Sequence, residues 1–255
     1  GGLMKILLTN DDGYFAPGIQ ALAKVLAKEH ELVIVAPEEE HSGQSHAITI
    51  KHSMIVKPVE IDGVDAEAYS VSGTPADCVR AGLDKLVPWK PDVIFSGCNA
   101  GYNAGMDIIY SGTVSAALEG VLSGIPSVAV SAEWIKGQCR YDTAATVAKK
   151  IFDKVQAPFL SLAKPMVLNI NVPYLDEEAL KGLRVADIGD NAYDFYFEEE
   201  VDGERRLSLR GRSITEHAPG TDRYFLERGY VTATPVIYGM ADAAEMDRLK
   251  SWLDE

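Results

Sequence analysis

Lys5-Ile6-Leu7-Leu8-Thr9-Asn10-Asp11-Asp12-Gly13 passes from an unbroken apolar run into an acidic turn within two residues. An apolar run of this length, without polar alternation, suits a strand covered on both faces of a parallel sheet. Asn, Asp and Gly directly after it end the strand in a turn. The next residues repeat the theme. Ile19, Leu22, Ala23, Val25 and Leu26 recur at helical spacing after Pro17 and Gly18, and Leu32-Val33-Ile34-Val35-Ala36 is a second apolar run stopped by Pro37. Strand, helix and strand in this order make a right-handed βαβ unit.

Working outward, the alternation continues. Strand-forming segments are expected within Ile48–Val59 and at Ala68–Val71, and a helix opens at Thr74-Pro75-Ala76-Asp77 and runs to about Leu86. Thr74 as N-cap, Pro75 in the first turn and Asp77 at the positive helix end give those residues a structural role. Further strands are predicted at Asp92–Ser96, Ser127–Ser131 and Met166–Asn171, with helices from Thr113 and over Asp142–Val155. The fold class is therefore α/β, a doubly wound, mostly parallel sheet. The pattern changes near Pro173. Phe195-Tyr196-Phe197 and Leu207-Ser208-Leu209 flank Asp202-Gly203 and predict a hairpin, followed by a strand over Tyr230–Val236 and a helix over Ala241–Leu253. A two-stranded ribbon with exposed aromatics is barely stable alone, so another subunit is expected to cover it. Residues 4–172 are thus read as the core and 173–255 as an extension used in oligomerisation.

The chain has 255 residues, 47% of them hydrophobic, and a formal net charge of −14. Without a Lys/Arg block, that balance excludes a nucleic-acid groove but not a small phosphorylated substrate, because a bound cation reverses the local sign. No apolar stretch approaches the length of a membrane span. Cys78, Cys98 and Cys139 are too scattered for a disulfide framework or a zinc cluster, and the expected setting is cytoplasmic. Gly1-Gly2-Leu3, ahead of Met4, read as an added tail.

Four segments carry candidate chemistry. Asp11 and Asp12 are adjacent carboxylates that repel each other, and burying either requires a compensating cation. Oxygen ligands suit magnesium or manganese, and the carboxyl edge of an open α/β sheet is where ligands bind. His41-Ser42-Gly43-Gln44-Ser45-His46 comes after the second strand; its hydroxyls and glycine permit close approach to a metal or phosphate, while the two histidines read as polar loop residues. Ser96-Gly97-Cys98-Asn99-Ala100-Gly101-Tyr102-Asn103-Ala104-Gly105 supplies glycines for tight turns and amides that ligate cations or hold phosphate oxygens. It matches neither the GxGxxG nor the GxxxxGK[ST] fingerprint. Ser111-Gly112-Thr113 opens a helix whose free N–H groups can hold an anion, although an ordinary N-cap uses the same residues.

Asn10-Asp11-Asp12-Gly13, Ser42-Gly43, Gly73-Thr74-Pro75-Ala76-Asp77, the 96–103 segment and Ser111-Gly112-Thr113-Val114-Ser115 together resemble the SurE (survival protein E) family of 5′/3′-nucleotidases, in order and separation, from Met4 to about Val236. The resemblance implies a Rossmann-like core, a C-terminal extension exchanged in homodimers or homotetramers, and a phosphomonoesterase acting on nucleoside monophosphates; whether short polyphosphate is also a substrate is left open by the residues. It implies one divalent cation per subunit, Mg²⁺ or Mn²⁺, on Asp11, Asp12, Ser42 and Asn99. Phosphate is assigned to Asn103, Ser111, Gly112 and Thr113, with Gly43 beside them. Metal-activated water is the expected nucleophile, and one of Asp11 and Asp12 its base. Three alternatives stand beside that reading: Asp11 as a nucleophile forming an aspartyl-phosphate, a sugar-nucleotide transferase, and a nucleotide sensor without catalysis.

Overall fold

The computed structural model describes residues 2–190, 195–210 and 214–253; the parts of the expected tail and of the 173–255 extension at Gly1, 191–194, 211–213 and 254–255 lie outside them. The elements relevant to the site are β1 (Lys5–Thr9), α1 (Pro17–Leu26), β2 (Glu31–Pro37), β3 (Val56–Pro58), β4 (Glu67–Val71), α2 (Pro75–Ala81), β5 (Val93–Ala100), α3 (Gly112–Leu122), β6 (Ser127–Ala132), α4 (Tyr141–Leu160) and β7 (Val167–Val172). They are succeeded by β8 (Leu183–Val185), β9 (Phe195–Val201), β10 (Glu204–Arg210), α5 (Asp222–Leu226), β11 (Val231–Val236) and α6 (Ala243–Leu253).

Nine strands form one sheet in the order β3-β4-β2-β1-β5-β6-β7-β11-β8. The pairs from β4 through β7 are parallel, and only β3 on β4 and β11 on β7 are antiparallel. From β1 the chain winds one way through β2 and β4 and then the other way through β5, β6 and β7. The winding direction therefore reverses between β1 and β5, and in open α/β sheets the crevice beyond the carboxyl ends at such a point is the ligand site.

Side-chain alternation divides β1 between two cores. Ile6 and Leu8 pack with Ile19, Leu22 and Leu26 of α1 and with Phe152 of α4, while Leu7 packs with Val33, Val35, Cys78 and Val79 under α2 and α3. Phe95 of β5 meets Phe152 edge-on at 5.2 Å between ring centroids, and Phe152 meets Phe159 at 6.2 Å. That second contact is why α4 continues past Val155. Phe159 is buried, and Pro158 sits in the last turn, close to where the helix ends.

Besides the longer α4 and the added β8 and α5, the structure departs from the sequence expectations in the loops and strand ends around the site. Within 48–59 only Val56–Pro58 is a strand, because side chains take the backbone groups of the rest: Asp77 accepts the Thr49 N–H (3.0 Å) and hydroxyl (2.7 Å), and the Ser72 hydroxyl accepts the Ile55 N–H (2.7 Å). The helix after Thr74 ends at Ala81, and 82–86 form a wider π-type turn. β5 continues through a bulge between Ser96 and Asn99, which carries the amide-rich segment four residues further as strand. The hairpin forms as expected, with Asp202 (φ 53°) and Gly203 (φ 76°) both left-handed, as a two-residue type I′ turn requires. No described helix is long and apolar enough to cross a membrane.

Candidate functional site

A cavity of about 390 Å³ opens where the winding direction changes, lined by Asp11, Ser42, Gly43, Asn99, Asn103 and Ser111 among others. Four separate loops thus meet. Asn10 fixes the first by donating its amide to the Gly13 carbonyl (2.7 Å). The Ser42 loop is tied down at both ends, through the His41 N–H to the Asp11 carbonyl (2.8 Å) and through the Ser45 N–H to the Tyr110 carbonyl (3.0 Å).

Asp11 is 4% exposed, and its Oδ1 has no hydrogen-bond partner. Burial pushes its carboxyl up to about 7, Asp12 adds to the rise, and the donors of Thr113 oppose it. Asp12 is raised as well, by burial and by Glu40, against the Ala100 N–H that it accepts at 3.1 Å. Two carboxylates that resist ionising, one with an orphaned buried oxygen, fit a divalent cation held between them.

The other donors have chemistry to match. Asn99 spends its amide nitrogen on the Gly101 carbonyl (3.0 Å), which leaves the amide oxygen as its ligand atom. The Ser42 hydroxyl donates to Glu40 (2.6 Å), so its oxygen keeps lone pairs. Carboxylate, amide and hydroxyl oxygens without His or Cys fit Mg²⁺ or Mn²⁺ rather than zinc. Elsewhere, Glu29, His30 and Asp153 also cluster, but Lys149 already places an ammonium 2.7 Å from both carboxylates.

The anion-side residues behave differently from one another. Asn103 is nearly buried and held from three directions: its N–H donates to Asn171 (2.9 Å), its amide nitrogen to Ser131 (2.8 Å), and its carbonyl accepts from Asn169 and Asn171 (2.9 and 3.0 Å). Ser111 lines the cavity, and its hydroxyl caps α3 by accepting the Val114 N–H (3.1 Å). Gly112 lies behind Asp11: a Cβ there would stand 3.0 Å from the Asp11 Cβ and 3.1 Å from Pro75. Thr113 is fully buried at the head of α3, where it favours the ionised form of Asp11, while its hydroxyl has no hydrogen-bond partner among the described residues. Gly43 is exposed at φ 71°, with open space around it.

Asp77 completes a capping box with Thr74, and His46 bonds the buried Glu119 at 2.6 Å, which Arg80 also reaches at 3.0 Å. Both are structural, as their sequence context suggests. Burial raises the Cys78 and Cys98 thiols well above the ordinary range and Cys139 less so, which makes them inert.

Sequence reasoning misses the far wall of the cavity. Arg223 of α5 is buried there; its guanidinium donates to the Ala104 carbonyl (2.7 Å) and the Asp107 carboxylate (2.9 Å). Its neighbour Asp222 accepts the Gly105 N–H (2.8 Å) and the Gly189 N–H (3.1 Å). The C-terminal segment therefore staples the amide-rich loop just beyond Asn103. Glu133, Trp134 and Glu227 line the same wall. Hydropathy leaves one trace of this: Asp222-Arg223 is a charged pair opening a short helix directly before the apolar β11.

Fold and site together define a doubly wound α/β protein with a paired-acid, oxygen-rich pocket at the reversal of its sheet. The family model described as "Survival protein SurE" matches residues 6–195, and the chain belongs to the SurE family. It is 45% identical over 250 residues to the 5′-nucleotidase SurE of Clostridium tetani, covering 98% of this chain and 100% of that one. With the 5′-nucleotidase SurE of Clostridium botulinum (strain ATCC 19397 / Type A) it shares 46% identity over 242 residues, covering 94% and 95%. The crystal structure of the SurE protein of Aquifex aeolicus superposes with a TM-score of 0.85 at 36% identity, covering 98% of this chain and 100% of that one.

Proposed function

We propose that this chain is a divalent-metal-dependent 5′-nucleotidase that hydrolyses nucleoside monophosphates to nucleoside and phosphate. The observation that carries the reading is the buried, unpartnered Oδ1 of Asp11 beside Asp12, in a pocket whose other contributors include amide and hydroxyl oxygens. The relatives that match nearly the whole chain are 5′-nucleotidases by name.

Asp11, Asp12, Ser42 and Asn99 would hold the cation. When bound, a divalent cation there offsets charge on the phosphoryl oxygens and lowers the pKa of water. The remaining contribution is positioning. The four bonds that fix Asn103, and Ser111 at the head of α3, hold a rigid polar wall against which the phosphate oxygens are oriented. Asp11 or Asp12 accepts the proton from the attacking water. Arg223 is matched by Asp107, so it fixes the loop without adding net positive charge. The same pocket suits 3′-monophosphates and the ends of short polyphosphate, which present the same terminal phosphate. A second copy of the chain covers the hairpin in a homodimer or homotetramer, and the setting is cytoplasmic.

The test is phosphate release from AMP by metal-stripped protein. Activity that appears on addition of Mn²⁺ or Mg²⁺ and disappears with chelator supports the reading. Release that persists at full rate in chelator, or AMP binding without any release, overturns it.

A further inference from the structure

Trp134 lines the same cavity as Asp11 and Asn99, yet it is 57% exposed, and no described ring or cation packs on it. Its backbone is held on both sides. The Glu133 N–H continues the β6–β7 ladder to the Val172 carbonyl (3.0 Å), and Ile135 and Gln138 exchange two hydrogen bonds (2.9 and 3.0 Å) across a tight turn. The Glu133 carboxylate, in turn, accepts the Tyr174 N–H at 2.7 Å. A large indole is therefore carried on an anchored backbone at a pocket wall and left wet. Tyr110 lines the same pocket at 50% exposure, and its carbonyl is fastened to the Ser42 loop.

Exposed aromatic surface beside a concave polar site marks a binding surface, and a rigid ring binds at little cost in conformational freedom. The site's oxygen donors deal with phosphate and cation, and none of them needs an aromatic neighbour. A planar heteroaromatic ring joined to the phosphate through a sugar would use it, because every base has a π-face and stacks on indole without a demand for particular hydrogen bonds. The geometry points to Trp134 as the platform on which the substrate's nucleobase stacks, with Tyr110 beside it. This rests on the phosphomonoesterase reading above and adds a subsite that prefers nucleotides to base-free phosphate esters while discriminating weakly among bases.

The test uses the full chain with Mn²⁺, comparing AMP with ribose 5-phosphate, which has the sugar and phosphate but no base. Trp134→Ala is expected to raise KM for AMP about tenfold relative to its effect on ribose 5-phosphate, with Trp134→Phe recovering most of the loss. Adenosine, which has no phosphate, should quench the tryptophan emission of the parent protein but not of Trp134→Phe, in which Trp89 and Trp252 remain. Equal KM changes for the two substrates would overturn the assignment, as would the absence of quenching. So would Trp134 emission that tracks protein concentration rather than adenosine, since a second copy would then be covering the ring. If neither ester is hydrolysed but adenosine still quenches, the subsite stands and the phosphomonoesterase reading falls. If both are hydrolysed without quenching, the subsite alone fails.

Discussion

Asp11 and Tyr196 occupy opposite extremes of one chain: an acid that is 4% exposed and an aromatic that is 63% exposed. Each is on the side of the surface where its chemistry is least favoured. The site end of the sheet is polar where it is closed, and the β9–β10 arm is apolar where it is open, with Phe195, Phe197, Leu207 and Leu209 also exposed. The contrast shows two kinds of incompleteness. A buried carboxylate oxygen without a partner asks for a cation, whereas exposed aromatic and leucine side chains on a ribbon ask for area, which another surface can cover.

The sharpest way to break that comparison is to neutralise the buried acid. Asp11→Asn should lower Mn²⁺-dependent phosphate release from AMP by about a thousandfold or more while the fold persists. In metal-free protein at pH 8 the same variant should melt higher than the parent; an equal or lower melting temperature would show that Asp11 is not strained there. Next in size is the staple. Arg223→Leu removes one side of the buried Arg223–Asp107 ion pair and should cost about 3–5 kcal/mol in urea denaturation, part of which returns when Asp107→Leu is added.

The third effect is a pH dependence. Burial raises the Asp11 carboxyl from an ordinary 3.8 to about 7, so in metal-free protein its stabilising protonated form is complete below pH 4 and is lost as pH rises through 7. Metal-stripped protein should therefore lose roughly 2–4 kcal/mol between pH 4 and pH 8, and Mn²⁺ should restore more stability at pH 8 than at pH 5. Glu119, held low by His46 and Arg80, and Asp77, held low by the Thr49 and Thr74 donors despite burial, act in the opposite sense only in more acid solution. The smallest effect on the fold belongs to the arm. Tyr196 and Leu209 face each other across the ribbon, and replacing both with Ser should change core stability by no more than about 0.5 kcal/mol. Light scattering should nonetheless report a smaller particle; an unchanged mass would mean that the arm is covered by something other than a second copy.

Much of this architecture is legible in the residues alone. Buried parallel strands write themselves as unbroken apolar runs, which is why β1, β2, β5, β6 and β7 lie close to their expected places. The gathering of Asp11, Ser42, Asn99, Asn103 and Ser111 round one cavity is legible because each lies at or beyond the end of a strand or opens a helix, and the topology sends all such points to one edge. The 48–55 segment misleads because its β-prone residues give their backbone bonds to Asp77 and Ser72, a long-range arrangement that no local pattern records. At Thr113 the residues alone do not separate two roles, because a helix N-terminus reads the same whether its donors face a ligand or a neighbouring carboxylate. Glu133 and Trp134 carry the same positional sign, directly after β6, but no chemistry in their residue types marks them out; Arg223 leaves only the charged pair that opens α5, and it bonds the Ala104 carbonyl from 119 positions away.

Both β8 and β11, on either side of the β9–β10 ribbon, are locked into the main sheet, where Ala186 also bonds Ala233 (3.1 Å). The ribbon is thus an excursion whose departure and return are independently anchored. A protease that cuts at the exposed Asp202-Gly203 tip would sever the polypeptide without separating its pieces. The nicked enzyme should run as two bands in denaturing gels and as one particle in solution, with Asp222 and Arg223 still clasping the loop beyond Asn103. Such fragments, produced separately, would be a natural pair for reconstitution.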